Sequence, residues 1–213
     1  MGTAIVAVLP FAPGLLLSPL PPVAASVLTI APDGRRRAQL FALGWCAALL
    51  AGCLAAGVLL RLATAGDRLP AGAARTASVL LAAALVAVAL VHGYGHVTGR
   101  GAPSWLGRVG TLPTRRAGPF AARLLYTDPM HLLLVGAAAV ALAGVPADWP
   151  ADLAAAALLA AAGTAGVAVP LIVSYAAGWT GSVRLHALRR TPVGRRAQIA
   201  FWLSAGYAAF LLT

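Results

Sequence analysis

Leu124-Leu125-Tyr126-Thr127-Asp128-Pro129-Met130-His131-Leu132-Leu133-Leu134-Val135 sets an acid, a proline and a histidine inside an otherwise apolar run. Continued to Val145, the run is long enough for a membrane-spanning helix, which needs about 20 predominantly apolar residues. An acid at the centre of such a helix costs about 2.5–3.5 kcal/mol on insertion scales, and less near an interface. Proline removes a backbone donor and obstructs the carbonyl four residues earlier. The segment therefore reads as a span broken near its start. Asp128 then has two readings: an N-terminal helix residue at the inner interface that complements the helix dipole, or a functional acid at membrane depth. The apolar approach Pro119-Phe120-Ala121-Ala122-Arg123 extends the element upstream and brings Arg123 within pairing reach of Asp128.

The rest of the chain has the same character. Of 213 residues, 61% are hydrophobic and 10% charged, against about 45–50% and about 25% for soluble domains. Long runs without charge give six candidate spans, at about 4–30, 38–60, 76–96, 124–145, 153–179 and 197–213. The expected fold class is an all-α integral membrane protein of six transmembrane helices in one domain over 1–213. Six spans use about 120 residues, which leaves no room for a separate soluble domain. No basic residue precedes Arg35, so the first run lacks the positive n-region of a signal peptide and is expected to stay in the mature protein.

The first span breaks too, at Leu17-Ser18-Pro19-Leu20-Pro21-Pro22, after Pro10 and Pro13. Backbone groups freed at membrane depth need protein or cavity water as partners. The Ser18-Pro19 and Asp128-Pro129 breaks each open a set of three spans. Three is odd, so the second half crosses the membrane inverted relative to the first. The expected architecture is thus two inverted three-helix repeats, about 1–99 and about 114–213, around a basic loop at about 97–122. Transporters built this way bind substrate where the repeats meet.

The basic residues are sixteen Arg and the acids five Asp, for a net charge of +11. Such an excess suits nucleic acid, but these Arg lie between the apolar runs, where anionic lipids and the positive-inside rule account for them. The loops after spans one, three and five hold thirteen of the sixteen: Arg35 to Arg37, then Arg100, Arg108, Arg115, Arg116 and Arg123, then Arg184, Arg189, Arg190, Arg195 and Arg196. Only Arg61, Arg68 and Arg75 fall on the other side, beside Asp67, Asp148 and Asp152. The odd-numbered loops are expected in the cytoplasm and both termini outside, in a bacterial plasma membrane. Trp45 and Trp202 lie within spans, where an indole N–H needs a partner or a polar cavity.

Several of these segments are similar to one family. Leu17-Ser18-Pro19-Leu20-Pro21, then Arg35-Arg36-Arg37, then Phe41-Ala42-Leu43-Gly44-Trp45, resembles the opening of the GAP family, the peptidoglycolipid-addressing or Sap-like proteins of actinobacteria, in the LysE exporter superfamily. Pro103-Ser104-Trp105 matches its Pro-x-Trp element, and Pro170 and Tyr175 fit its fifth span. Its Thr-Pro-x-x-Ala approach and Asn-Pro-Lys-Asn motif correspond to Thr111-Leu112-Pro113-Thr114-Arg115-Arg116-Ala117 and Asp128-Pro129-Met130-His131. There Asp replaces the first Asn, and Met130 and His131 replace the Lys and the second Asn. The resemblance implies six spans and movement of a lipid-linked product, a glycolipid or peptidoglycolipid, or a small solute out of the cytoplasm.

The expected substrate or ion site combines Ser18, Pro19, Arg123, Thr127, Asp128, Pro129, His131 and Tyr175. Ser18, Thr127 and His131 would contact the substrate's polar part, and Asp128 would carry a proton or pair with a cation. Expected partners are membrane lipids, the transported molecule, and a second copy of the chain or an envelope export machine, with no nucleic acid and no cofactor. An accessory scaffold subunit of such a machine is one alternative.

A membrane enzyme is the other. His92 and His96 share a helical face at metal-ligand spacing, but Gly93 and Gly95 weaken the helix there, and no Glu exists to complete H-E-x-x-H. Cys46 and Cys53 are seven apart rather than C-x-x-C, and read as packing residues. Gly178-Trp179-Thr180-Gly181 is similar to an intramembrane protease loop with Thr for Ser, but the sixth span holds no His to act as base. No G-x-x-x-x-G-K-[ST] phosphate loop is present. The expectation is therefore a transporter rather than an enzyme.

Overall fold

The computed structural model describes residues 2–18, 20–30, 33–64, 70–97, 106–145 and 148–176, all helices and short connections. Pro19, the Pro103-Ser104-Trp105 element and the sixth expected span lie outside the described residues. The helices are α1 (Gly2–Val8), α2 (Ala12–Leu17), α3 (Leu20–Ile30), α4 (Gly34–Ala63), α5 (Ala71–Val97), α6 (Leu106–Val109), α7 (Ala117–Thr127), α8 (Pro129–Gly144) and α9 (Trp149–Ala176). Short 3₁₀ turns at Leu9–Phe11 and Thr114–Arg116 lead into α2 and α7.

The prolines of the first run fall where their missing N–H costs least. Pro10 lies in the 3₁₀ turn, Pro13 in the first turn of α2, and Pro21 and Pro22 in the first turn of α3. Ser18 ends α2 with an extended ψ of 125°. The run is thereby a bent pair, Gly2–Leu16 with Leu20–Ile30, at 51°. The Asp128-Pro129 run is bent more sharply, with Thr114–Thr127 and Pro129–Gly144 at 77°. Two unbroken helices, α4 and α9, are long and apolar enough to cross a membrane, and the bent pairs bring the candidates to at most four among the described residues. The expected third span falls on α5, whose shorter apolar stretch is Gly72–Val88.

α4 and α9 form the frame. One stripe of α4, Gly34, Ala38, Phe41, Trp45, Ala48, Leu49 and Cys53, is buried, at the three-to-four-residue spacing of a single helix face. α4 packs on α7, α8 and α9, and α9 also receives α1, α2 and α3. Close approach depends on glycine at two crossings, as helix contacts in membranes commonly do. A Cβ on Gly44 would sit 2.6 Å from the backbone of Gly118 on α7, and one on Gly166 of α9 would sit 2.4 Å from the Leu16 carbonyl of α2.

Polar contacts tie the frame at both ends. Arg35 Nη2 donates to the Ser174 carbonyl at 3.0 Å, and Arg37 Nη1 to that of Gly110 at 3.1 Å. The start of α4, the loop after α6 and the end of α9 thus meet at one end. At the other, Arg61 in the last turn of α4 pairs with Asp152 in the first turn of α9.

Candidate functional site

Pro129 shapes the centre of the site. Proline pushes the preceding residue out of the helical region, and Asp128 is extended at φ −90° and ψ 110°. It thereby becomes the N-cap of α8. The Met130 N–H donates to Asp128 Oδ1 at 3.0 Å, satisfying one of the donors left open at a helix start. The other oxygen, Oδ2, lies 2.8 Å from His131 Nδ1. Asp128 is thus both the helix cap and the hydrogen-bond partner of the histidine one turn on.

That pair is out of water, since the side chain of His131 is 0% exposed and that of Asp128 10%. With Asp128 ionised the carboxylate can only accept, and the hydrogen between them is then on Nδ1. Nε2 then carries a lone pair in the neutral ring and a second N–H in the imidazolium. Nε2 has no hydrogen-bond partner among the described residues, and neither does Trp45 Nε1. The two rings meet edge to face, centroids 5.0 Å apart, and Phe41 stacks on Trp45 at 6.3 Å. The result is an acid–imidazole pair in an aromatic setting.

The other expected site residues disperse. Thr127 is exposed, and its hydroxyl donates back to the Arg123 carbonyl at 2.7 Å. Arg123 is itself exposed. Ser18 is buried at the end of α2, which packs mainly on α9 and also touches α8. Tyr175 joins the start of α4: its hydroxyl accepts from Gln39 Nε2 at 2.8 Å, and the Arg35 guanidinium lies 4.9 Å from its ring centroid. Pro19 and the side chains of His92 and His96 are outside the described residues. Among those described, no group of three or more His, Cys, Asp or Glu is placed to hold a metal, and Cys46 and Cys53 are free thiols.

Two buried positions with unpartnered polar atoms among the described residues escape a reading of local sequence. Trp45 is legible only as an indole in need of a partner. Asp152 reads as a loop acid beside Trp149-Pro150, yet it is 8% exposed within α9. The available signal was Pro150, which starts a helix as readily as it breaks one.

These features define a class, an all-helical membrane protein with a polar pair buried at a broken helix. Over residues 8–213 the chain matches the model of the family described as Sap, sulfolipid-1-addressing protein. It belongs to that family, whose description points to lipid-related membrane export or addressing. No curated protein and no solved structure matches it.

Proposed function

We propose that this protein is a LysE-type exporter that moves a lipid-linked product, a glycolipid or peptidoglycolipid, or a small solute out of the cytoplasm. The observation that carries the reading is the buried Asp128–His131 pair at the Pro129 break. Ionisable side chains within a membrane are costly and are kept for substrate or proton pathways. With Asp128 ionised, proton uptake at His131 Nε2 turns a singly negative pair into a neutral one. The pair is therefore a unit through which a proton gradient drives export. No cofactor takes part, and the chain is not an enzyme.

The full architecture in this reading is six spans in two inverted halves in the bacterial plasma membrane, with both termini outside. The end contacts support it. Arg37–Gly110 and Arg35–Ser174 gather the loops expected in the cytoplasm, while Arg61–Asp152 joins the two expected outside.

The test is a deletion strain complemented with wild-type or Asp128→Asn protein, its exported lipids and metabolites compared by mass spectrometry over a range of external pH. The variant is expected in the membrane at wild-type levels with export lost. Normal export across the range would remove the coupling role. Stoichiometric zinc, iron or manganese in the purified protein would instead favour an enzyme.

A further inference from the structure

From the Arg61–Asp152 end of the frame we infer a gate. It rests on the exporter reading above and gives that reading a moving part. The buried stripe of α4 stops at Cys53, and from Leu54 to Ala63 no residue of the helix is buried. Leu59 and Leu62 are among the most exposed apolar residues of the helix, at 66% and 73%. A Cβ on Gly57 would meet nothing within 4 Å. Over those turns the helix is only partly buried, with Leu54 still packed against the core, and Arg61–Asp152 bridges it to α9.

Beneath the pair lies a water-sized recess of about 20 Å³ whose lining includes Cys53, Leu54, Val58, Leu142 and Trp149. Asp152 also lines it. Its Oδ2 is taken by Arg61, but the buried Oδ1 has no partner among the described residues. The Arg61 side chain is 39% exposed and that of Asp152 12%, and ion pairs open to solvent hold a fold only weakly. A half-satisfied pair is thus a poor permanent clamp and a suitable reversible one.

The opposite end is held differently. There Arg35 reaches Ser174 and Tyr175, Gln39 reaches Tyr175, and the α4 stripe is buried from its first residue. α4 is anchored where the arginine-rich loops gather and tethered ionically where they do not. Separation of Arg61 from Asp152 opens a path from the recess to the side opposite those loops.

Cys53 is a native reporter, a buried thiol in the lining of the recess. In a Cys46→Ser background, whole cells are treated with a membrane-impermeant maleimide and labelling of Cys53 is timed. Arg61→Gln and Asp152→Asn are each expected to speed labelling at least ten-fold, and the exchange Arg61→Asp with Asp152→Arg to restore the slow rate. A second arm places Cys at 61 and 152 with both native thiols replaced by Ser. Oxidation should then arrest export, and a reductant should restore it. Unchanged labelling in both single variants, or export that continues through the cross-link, overturns the gate. Failure of the gate alongside loss of export in Asp128→Asn leaves the exporter reading standing. Gated labelling with no change in any exported molecule on deletion removes the exporter reading and keeps the opening motion.

Discussion

Trp45 meets His131 edge to face, the ring centroids 5.0 Å apart and the planes at 86°, and both side chains are wholly shielded from solvent. The contact joins the centre of α4 to the first turn of α8. It sets an indole N–H and an imidazole nitrogen, neither with a hydrogen-bond partner among the described residues, in one buried neighbourhood. Polar groups without partners are expensive at membrane depth. In the proposed exporter, the neighbourhood is where a polar atom from outside the fold, a proton or part of the substrate, would be received.

Trp45 should separate packing from polarity. Trp45→Phe keeps an aromatic ring against Phe41 and His131 and removes the N–H. It also removes three ring atoms from a buried site, so stability in detergent should fall, but by less than in Trp45→Ala, while export falls. Trp45→Ala should cost about 3–5 kcal/mol through the cavity it leaves. Thermal unfolding read by circular dichroism gives the first quantity and mass spectrometry of exported lipids the second. Full export in Trp45→Phe would mean that the indole N–H has no part in it.

Asp128 carries two duties that substitution can divide. Asparagine is as good an N-cap as aspartate, so Asp128→Asn retains the acceptor for the Met130 N–H and loses only the charge facing His131. Asp128→Ala loses both. Export should fail in each, but the alanine variant should also unfold more easily, by the roughly 1 kcal/mol typical of a lost cap. Equal stability of the two variants would show that the Met130 bond adds little to the start of α8.

Much of this site was legible, because proline acts locally. Pro129 forces the break at Asp128 whatever surrounds it, and the upstream extension of the element through Phe120 follows from its apolar residues. What stayed hidden depends on tertiary contact. Nothing near Trp45 in the chain indicates that it faces His131, and nothing near Tyr175 that it is engaged by Arg35 and Gln39 rather than by the broken helix. Asp152 was hidden for a local reason, since Trp149-Pro150 suits a loop and a helix start alike. The number and inversion of the spans rest on charge and hydropathy over 197–213 as well as on the helices described.

Arg35 should be sensitive to shape as well as charge. Its guanidinium bonds the Ser174 carbonyl while lying over the Tyr175 ring, and a planar fork does both in a way that an ammonium does not. Arg35→Lys should keep the orientation of the protein in the membrane, which depends on positive charge. It should lose about 0.5–1 kcal/mol, the value of an exposed cation–π contact. Tyr175→Leu should cost a similar amount, and the double variant little more than either alone. Additive losses in that cycle would show that the two side chains act independently.

Gly44 and Gly57 offer the sharpest contrast on one helix. A methyl at position 44 would lie 2.6 Å from both the Cα and the carbonyl oxygen of Gly118, and these are backbone atoms that no side-chain rotation can clear. Gly44→Ala must therefore push α7 away from α4, at the 1–3 kcal/mol typical of overpacking. Because α7 ends at Thr127, the displacement also reaches the Asp128–His131 pair. Position 57 meets nothing within 4 Å, so Gly57→Ala should raise stability by up to about 1 kcal/mol, the helix-propensity difference. Melting temperatures of the purified variants should move in opposite directions. A Gly44→Ala protein as stable as wild type would mean that α4 and α7 are not in backbone contact at this crossing.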